Sequence, residues 1–477
     1  MTPLLGFMPD ADRATPGVLA DCMNLIPYIS GMEGAPSAFT PAATPALDSE
    51  CLGAAVTSSL SGTRRVFAGT ASDLYELTSG AWANVSRSGS YTGGSDTRWM
   101  FAQFGNAALA CNGDTIQRSE SGAFADIASA PTAEIIFSVG AFVMALNVND
   151  GEVKQDGWHC CAAYDDTDWT VSVATQATSG RLVASAGAIT AGARLGEYAI
   201  AYKARSIYRG QYVGSPAVWD WVQVPGGDAG CVGKEALCEI GGAHFLVGED
   251  NFYIFNGESP TPIGDNSVRQ WFYNNSDPQY RYRTKAVFDR QNNRVWVFFP
   301  SVGSQTCNEA LVYHVLAKKW GRATLSIQAA LNYTSPGVTI DTLTGTIDTL
   351  PSVAFDSQYW MSGGQALSAF NTSHQLQLLN GESVSSSMTP CDVGDDDAVS
   401  LLKQIRLRFA RAPASATCTT SYAMNSGEAF TEDAAGVMND GKFDVLRSAR
   451  WHRARIAFTG AVRVTAARIQ AKEVSLR

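Results

Sequence analysis

The densest group of chemistry-bearing side chains in this sequence is Asp165-Asp166-Thr167-Asp168-Trp169, three carboxylates within four positions. Glycoside hydrolysis uses carboxylates in this way, one as general acid and a second as base or nucleophile across the scissile bond. Asp165, Asp166 and Asp168 are therefore the candidate acids for an enzymatic reading. The simpler reading is a polar turn that closes on an aromatic, since Asp and Thr side chains bond readily to nearby backbone. His159-Cys160 sets a base beside a thiol, but adjacent residues of a strand face opposite ways and do not meet.

Other reactive patterns are missing. The five histidines, His159, His244, His314, His374 and His452, show no HExxH spacing. There is no GxSxG elbow, no P-loop and no GxGxxG following a strand. Asp395-Asp396-Asp397 lacks the alternating ligands and distal Glu of a calcium loop. Ten cysteines include no CxxC pair, so clustered zinc ligands are not expected. The sequence thus predicts no catalytic residue, no cofactor and no metal.

The elements that carry these residues are strands. Val66–Val85 recurs as Ala108–Ile127 at a spacing of 42, with Gly80-Ala81-Trp82-Ala83-Asn84-Val85 matching Gly122-Ala123-Phe124-Ala125-Asp126-Ile127. A period of about 40–50 made of short apolar strands and Gly turns is the signature of propeller blades. The same grammar returns at His244–Ile263, at Tyr198–Tyr202 with Ser206–Tyr208, Trp219 and Trp221, and at Val295–Phe299 with Ala310–Tyr313 and Trp320. Ile135–Trp169 and a pairing of Gln358–Trp360 with Ala366–Phe370 bring the expected count to about seven blades. A pair of β-sandwiches with two chance-similar hairpins is the competing architecture. One short helix is expected over Asp265–Asn275, capped by Asp265 and burying Val268, Trp271 and Phe272.

The expected fold is all-β: a propeller over residues 51–385, an N-terminal extended strap over 1–50 and a C-terminal antiparallel β-region over 386–477. Pro and small residues in Pro36–Asp48 favour the strap. Gln404–Arg411, Arg453–Phe458 and Ala461–Val474 alternate apolar and basic residues, which implies one buried and one wet face. The wet face nominates Arg406, Arg408, Arg453, Arg455, Arg463 and Arg468 as candidate interface residues.

Composition supports this arrangement: 45 % of residues are hydrophobic, only 17 % are charged, and 44 are Gly. Residues 398–477 carry 13 basic and 6 acidic side chains, a net of +7, whereas the rest carries 22 and 39, a net of −17. An acidic body is poorly suited to gripping phosphate and well suited to letting DNA pass without sticking. The basic end suits an acidic partner or an acidic patch of a second copy. The opening MTPLLGFMPDADR has neither a basic start nor a continuous apolar run, so an unexported chain with reduced, buried cysteines and no membrane span is expected.

Together these segments resemble the tail hub, or nozzle, proteins of short-tailed phages, the packaged-DNA stabilisation family. The resemblance is carried by the opening Asn24–Phe39, NLIPYISGMEGAPSAF, and by Leu195–Tyr208, LGEYAIAYKARSIY. It continues through Gly230–Glu239, GCVGKEALCE, His244–Ile263 and the helix near Trp271, and ends with the alternating strands of Arg447–Arg477. It implies a non-enzymatic virion component, assembled in the host cytoplasm into a homohexameric tube. Such a tube lies below the portal and adaptor, retains packaged DNA, lets it pass during ejection and docks tailspikes or fibres. The alternatives are a glycan-degrading propeller enzyme and a receptor-binding protein of the tail tip.

Overall fold

A computed structural model describes residues 1–38, 44–226, 228–334, 365–383, 385–425 and 427–476. Six antiparallel four-strand units follow one another along the chain, five as separate sheets and the sixth as the start of a ten-stranded sheet: blade 1 over residues 53–84, blade 2 over 100–126, blade 3 over 132–181, blade 4 over 189–223, blade 5 over 237–262 and blade 6 over 285–327. In each, strand order from one edge to the other is chain order. The first strands pack against one another around an axis, so the ensemble is a β-propeller. A sheet with three described strands, residues 329–378, closes the ring. Its first strand, Ala329–Thr334, packs between Lys285–Asp289 of blade 6 and Gly53–Ser58 of blade 1. The expected count of about seven therefore corresponds to six full blades plus this closing sheet. Gln358–Trp360 lies outside the described residues, and Ala366–Phe370 falls in the second strand of the closing sheet, Gln365–Phe370.

The 42-residue repeat maps onto strands two to four of blades 1 and 2. Gly80 and Gly122 both have positive φ, +80° and +69°, which explains why Gly occupies the same turn position twice. Ser79 precedes Gly80 at φ 51°, so the blade 1 hairpin turns through two left-handed residues, the geometry that fits twisted strands. Gly69 has a different reason to be Gly: a Cβ there would sit 2.2 Å from the Trp99 ring, which is wedged at the boundary of blades 1 and 2. Between blades 5 and 6 the packing is aromatic, with Phe252 4.8 Å from Phe272 and 4.9 Å from Trp320 between ring centroids.

The helix forms as Arg269–Asn275, with Val268 and Phe272 fully buried. Asp265 does not cap it, because the N-cap position falls at Val268, three residues further on. Asp265 instead accepts a hydrogen bond from Asn251 Nδ2 at 2.9 Å. The helix N-terminus is served from far away: Gln270 and Trp271 N–H groups donate to the Asp10 carboxylate at 2.6 and 2.9 Å.

The N-terminal segment is not an extended strap. Five short strands form between Thr2 and Gly34, because the rest of the chain offers open sheet edges to pair with. Leu25–Tyr28 and Gly31–Gly34 make a hairpin that joins the last strand of blade 6 to the C-terminal strand Arg463–Leu476. One sheet thereby runs from blade 6 through the hairpin to Arg463–Leu476, Ala398–Arg411 and the edge strand Lys442–Ala449. A second sheet, with the spine Val18–Met23, Ser386–Pro390, Trp451–Thr459 and Ser415–Ala423, faces it. Ile405, Leu407 and Phe443 of the first sheet and Cys418, Ile456 and Phe458 of the second share one core. The C-terminal region is thus a β-sandwich continuous with the propeller. All ten cysteines are unpaired and eight are buried; burial pushes the Cys160 thiol up to about 11.

Candidate functional site

The Asp165–Asp168 cluster is a turn. Asp165 Oδ1 accepts from the Thr167 N–H at 2.9 Å and the Thr167 hydroxyl at 2.6 Å. These bonds hold its carboxyl below the ordinary range, the opposite of what a general acid needs. Asp166 is buried and paired with Arg118 Nε at 2.8 Å, and Asp168 accepts from the Thr170 N–H at 2.9 Å. Trp169 is buried, with its indole N–H on the Asp166 carbonyl at 2.9 Å. Each carboxylate thus has a local structural partner. The neighbouring groove of about 480 Å³, lined by Arg118, Glu120, Asp126 and Thr167 among others, is open and shallow.

A tighter polar constellation closes one end of the propeller axis. Because all blades share one strand order, their first strands begin at the same end of the ring. Residues at or just before those starts are brought together there. Glu235, before blade 5, is paired with Lys285, which opens blade 6, and lies 3.3 Å from Arg98 Nε, before blade 2. Lys234 reaches across to Glu134 of blade 3 at 2.8 Å. Asp96 takes the Tyr282 hydroxyl and the Arg283 guanidinium, whose Nε donates at 3.0 Å. Those two donors hold the Asp96 carboxyl below its ordinary value, with Tyr282 the larger influence. Arg283 also donates to the Gln305 carbonyl at 2.8 Å. The space left among Glu50, Arg98, Arg283 and Lys285 is about 10 Å³, roughly what a single water occupies. Opposite charges from blades 2, 3, 5 and 6 therefore link non-adjacent blades at this end of the ring. None of these residues forms a sequence motif, and only their shared position before a first strand could have flagged them.

The six candidate arginines do not form one surface. Arg406, Arg408 and Arg468 are exposed on the solvent side of the first sandwich sheet, with Arg406 directly across from Arg468. Arg453 and Arg455 belong to the second sheet, on the opposite side of the sandwich. Arg453 is structural: it makes a two-pronged bond to Asp392, 2.8 Å on each arm, and lies 4.0 Å over the Phe430 ring. Arg463 is also engaged, at 2.6 Å from Glu33, which pairs with Arg294 of blade 6 as well. Five of the six are exposed and Arg453 is half-buried, and alternation does not say which of two facing sheets each belongs to.

Among the described residues, no group of three or more His, Cys, Asp or Glu is arranged to hold a metal. No described helix is long and apolar enough to cross a membrane.

No protein-family model and no curated protein matches the chain. Solved structures with loose likeness include BBS1N in complex with ARL6DN, at 8 % identity and a TM-score of 0.28, covering 68 % of this chain and 76 % of that one. Another is PorZ, a surface component of the type-IX secretion system of Porphyromonas gingivalis, at 12 % identity and a TM-score of 0.32. That match covers 72 % of this chain and 44 % of PorZ, so the chain spans less than half of that protein. The propeller assignment rests on the chain's own ring of sheets; neither likeness bears on what it binds.

Proposed function

We propose that this chain is a structural subunit of a short-tailed phage virion, a tail hub or nozzle that assembles as a hexameric ring below an adaptor. In that role it extends the DNA channel, retains packaged DNA and offers docking surface to tailspikes or fibres. The observation that carries this reading is the division of charge. At one end of the propeller, ion pairs link blades that are not neighbours, whereas on the sandwich Arg406, Arg408 and Arg468 point outward with no counterion among the described residues. A protein arranged this way is a rigid body whose polar chemistry points at neighbours. In this reading DNA travels along the axis of the assembled ring and not through the propeller of one chain. The engaged carboxylates of the Asp165–Asp168 turn weigh against the glycan-degrading alternative.

The test is the mass of the assembly, measured by native mass spectrometry with the chain alone and mixed with the tail adaptor protein. A ring of six in either sample supports the reading. A single chain in both, or release of sugars from host polysaccharide, overturns it.

A further inference from the structure

The solvent side of the first sandwich sheet holds a row of like charges across three adjacent strands. Arg406 on Ala398–Arg411 lies directly across from Lys442 on one side and Arg468 on the other. Neighbouring strands stand about 4.8 Å apart, and like charges directly opposite one another are destabilising. Arg408 and Lys403 extend the same exposed surface along the central strand. Asp444, 3.2 Å from Lys442 Nζ, is the one ion-pair partner for this row among the described residues. At the edge of the same face, Leu446 is 84 % exposed. The sheet ends at its strand, Lys442–Ala449, which has one free side. Among the described residues, Arg406, Arg408 and Arg468 have no carboxylate partner, in contrast to Arg453 and Arg463, which each have one.

We propose that this face, centred on Arg406, Arg408 and Arg468, docks on a carboxylate-bearing surface of a second copy of this chain. It rests on the ring-forming reading above and names the surface that reading needs. Two observations select a second copy. Every copy carries the complement, because the residues outside 398–477 have a net charge of −17. Arginines beside an exposed Leu at a sheet edge also match the composition of protein interfaces, where Arg is enriched. A nucleic acid approaching this face would meet the repulsion of the acidic body, which acts over about 8–10 Å at ordinary salt.

The experiment compares the full-length wild-type chain with the triple variant Arg406→Glu, Arg408→Glu, Arg468→Glu. Sedimentation velocity is run with and without adaptor at low and high salt, about 0.05 and 0.5 M. Wild type is expected to associate at low salt and to weaken at least about tenfold at high salt. The variant is expected to lose at least about tenfold in association under whichever condition wild type assembles. A milder pair, Arg406→Gln with Arg468→Gln, covers the case in which the triple variant does not fold, and is expected to weaken association in the same direction. Assembly of the folded variants equal to wild type overturns the docking face and leaves the ring reading standing. A wild-type chain that stays single with and without adaptor overturns both. Binding of a DNA duplex by wild type but not the variant, without self-association, overturns the second copy as the occupant.

Discussion

The axial mouth and the sandwich face are both rich in charge and treat it in opposite ways. At the mouth, Arg98, Lys234, Lys285 and Arg283 are each matched by Glu235, Glu134 or Asp96, and Lys285 is buried. On the sandwich face, Arg406 and Arg468 stand side by side in water with no described carboxylate. Ions withdrawn from water must be paired, because an uncompensated buried charge is costly. Ions left in water tolerate a like-charged neighbour cheaply, since solvent and salt screen the repulsion. The same residue types thus lock blades together in one place and remain available to another molecule in the other.

The largest expected effect comes from breaking the mouth. Glu235→Gln removes the one carboxylate paired with both Lys285 and Arg98, and chemical denaturation should show a loss of about 3–5 kcal/mol. A loss below about 1 kcal/mol would mean that water already screens this site and that mouth and face are not so different.

Acidification is the next probe, because it acts on the interior and spares the arginines. Burial holds His159, His244, His314 and His452 below the ordinary imidazole value. His244 is the clearest case: its Nε2 lies 2.9 Å from the Arg194 carbonyl and its Nδ1 2.7 Å from the Tyr202 hydroxyl, so the neutral ring is fully bonded. The unfolded chain takes up these protons near pH about 6.5, before the folded chain does. Stability should therefore be full above that value and decline as pH falls below it. The Asp96 shift has the same downward sign in a lower pH window: its contribution is present above about pH 3.9 and lost as pH drops through the lowered folded value. Thermal midpoints between pH 7.5 and 5 that stay flat or rise would contradict the histidine assignment.

A smaller effect is expected at Asp10, whose carboxylate caps the helix Arg269–Asn275 from about 260 positions away. Asp10→Ala should cost about 1 kcal/mol, a typical capping loss. Faster hydrogen exchange of the Gln270 and Trp271 amides should accompany it. The smallest effect belongs to the face: Arg406→Gln should change unfolding stability by no more than about 0.5 kcal/mol, and in the stabilising direction, since it removes a like-charge contact. A large loss there would show that Arg406 has an intramolecular role and would erase the contrast with the mouth.

What the sequence revealed follows the range over which its signals act. The outer strands of blades 1 and 2 were legible because Gly80 and Gly122 mark a turn that needs a left-handed residue, and an apolar strand follows each. First strands such as Leu237–Glu239 and Lys285–Asp289 were not, because they are short and their burial does not alternate regularly. The N-terminal strands were misread as a strap because their partners lie hundreds of residues away: Met23 pairs with Ser387, and Glu33 with Arg463. Asp265 was read as a cap on local grounds, and the actual cap, Asp10, is 260 positions from Gln270. For the candidate site, alternation identified outward arginines but not their sheets, and the mouth was invisible because an axis gathers residues that no spacing rule connects.

The hairpin Leu25–Gly34 sets a timetable for the newborn chain. It is made before the blades, yet Glu33 awaits Arg463, 430 residues later. At ordinary elongation speeds that wait is roughly 20–90 s. Through that interval the blades can close one after another while two unpaired edges stay open at the front of the chain. The final strand, Arg463–Leu476, then stitches beginning to end. A complete sandwich is thereby restricted to chains extended past Arg463–Leu476, a form of quality control written into strand order.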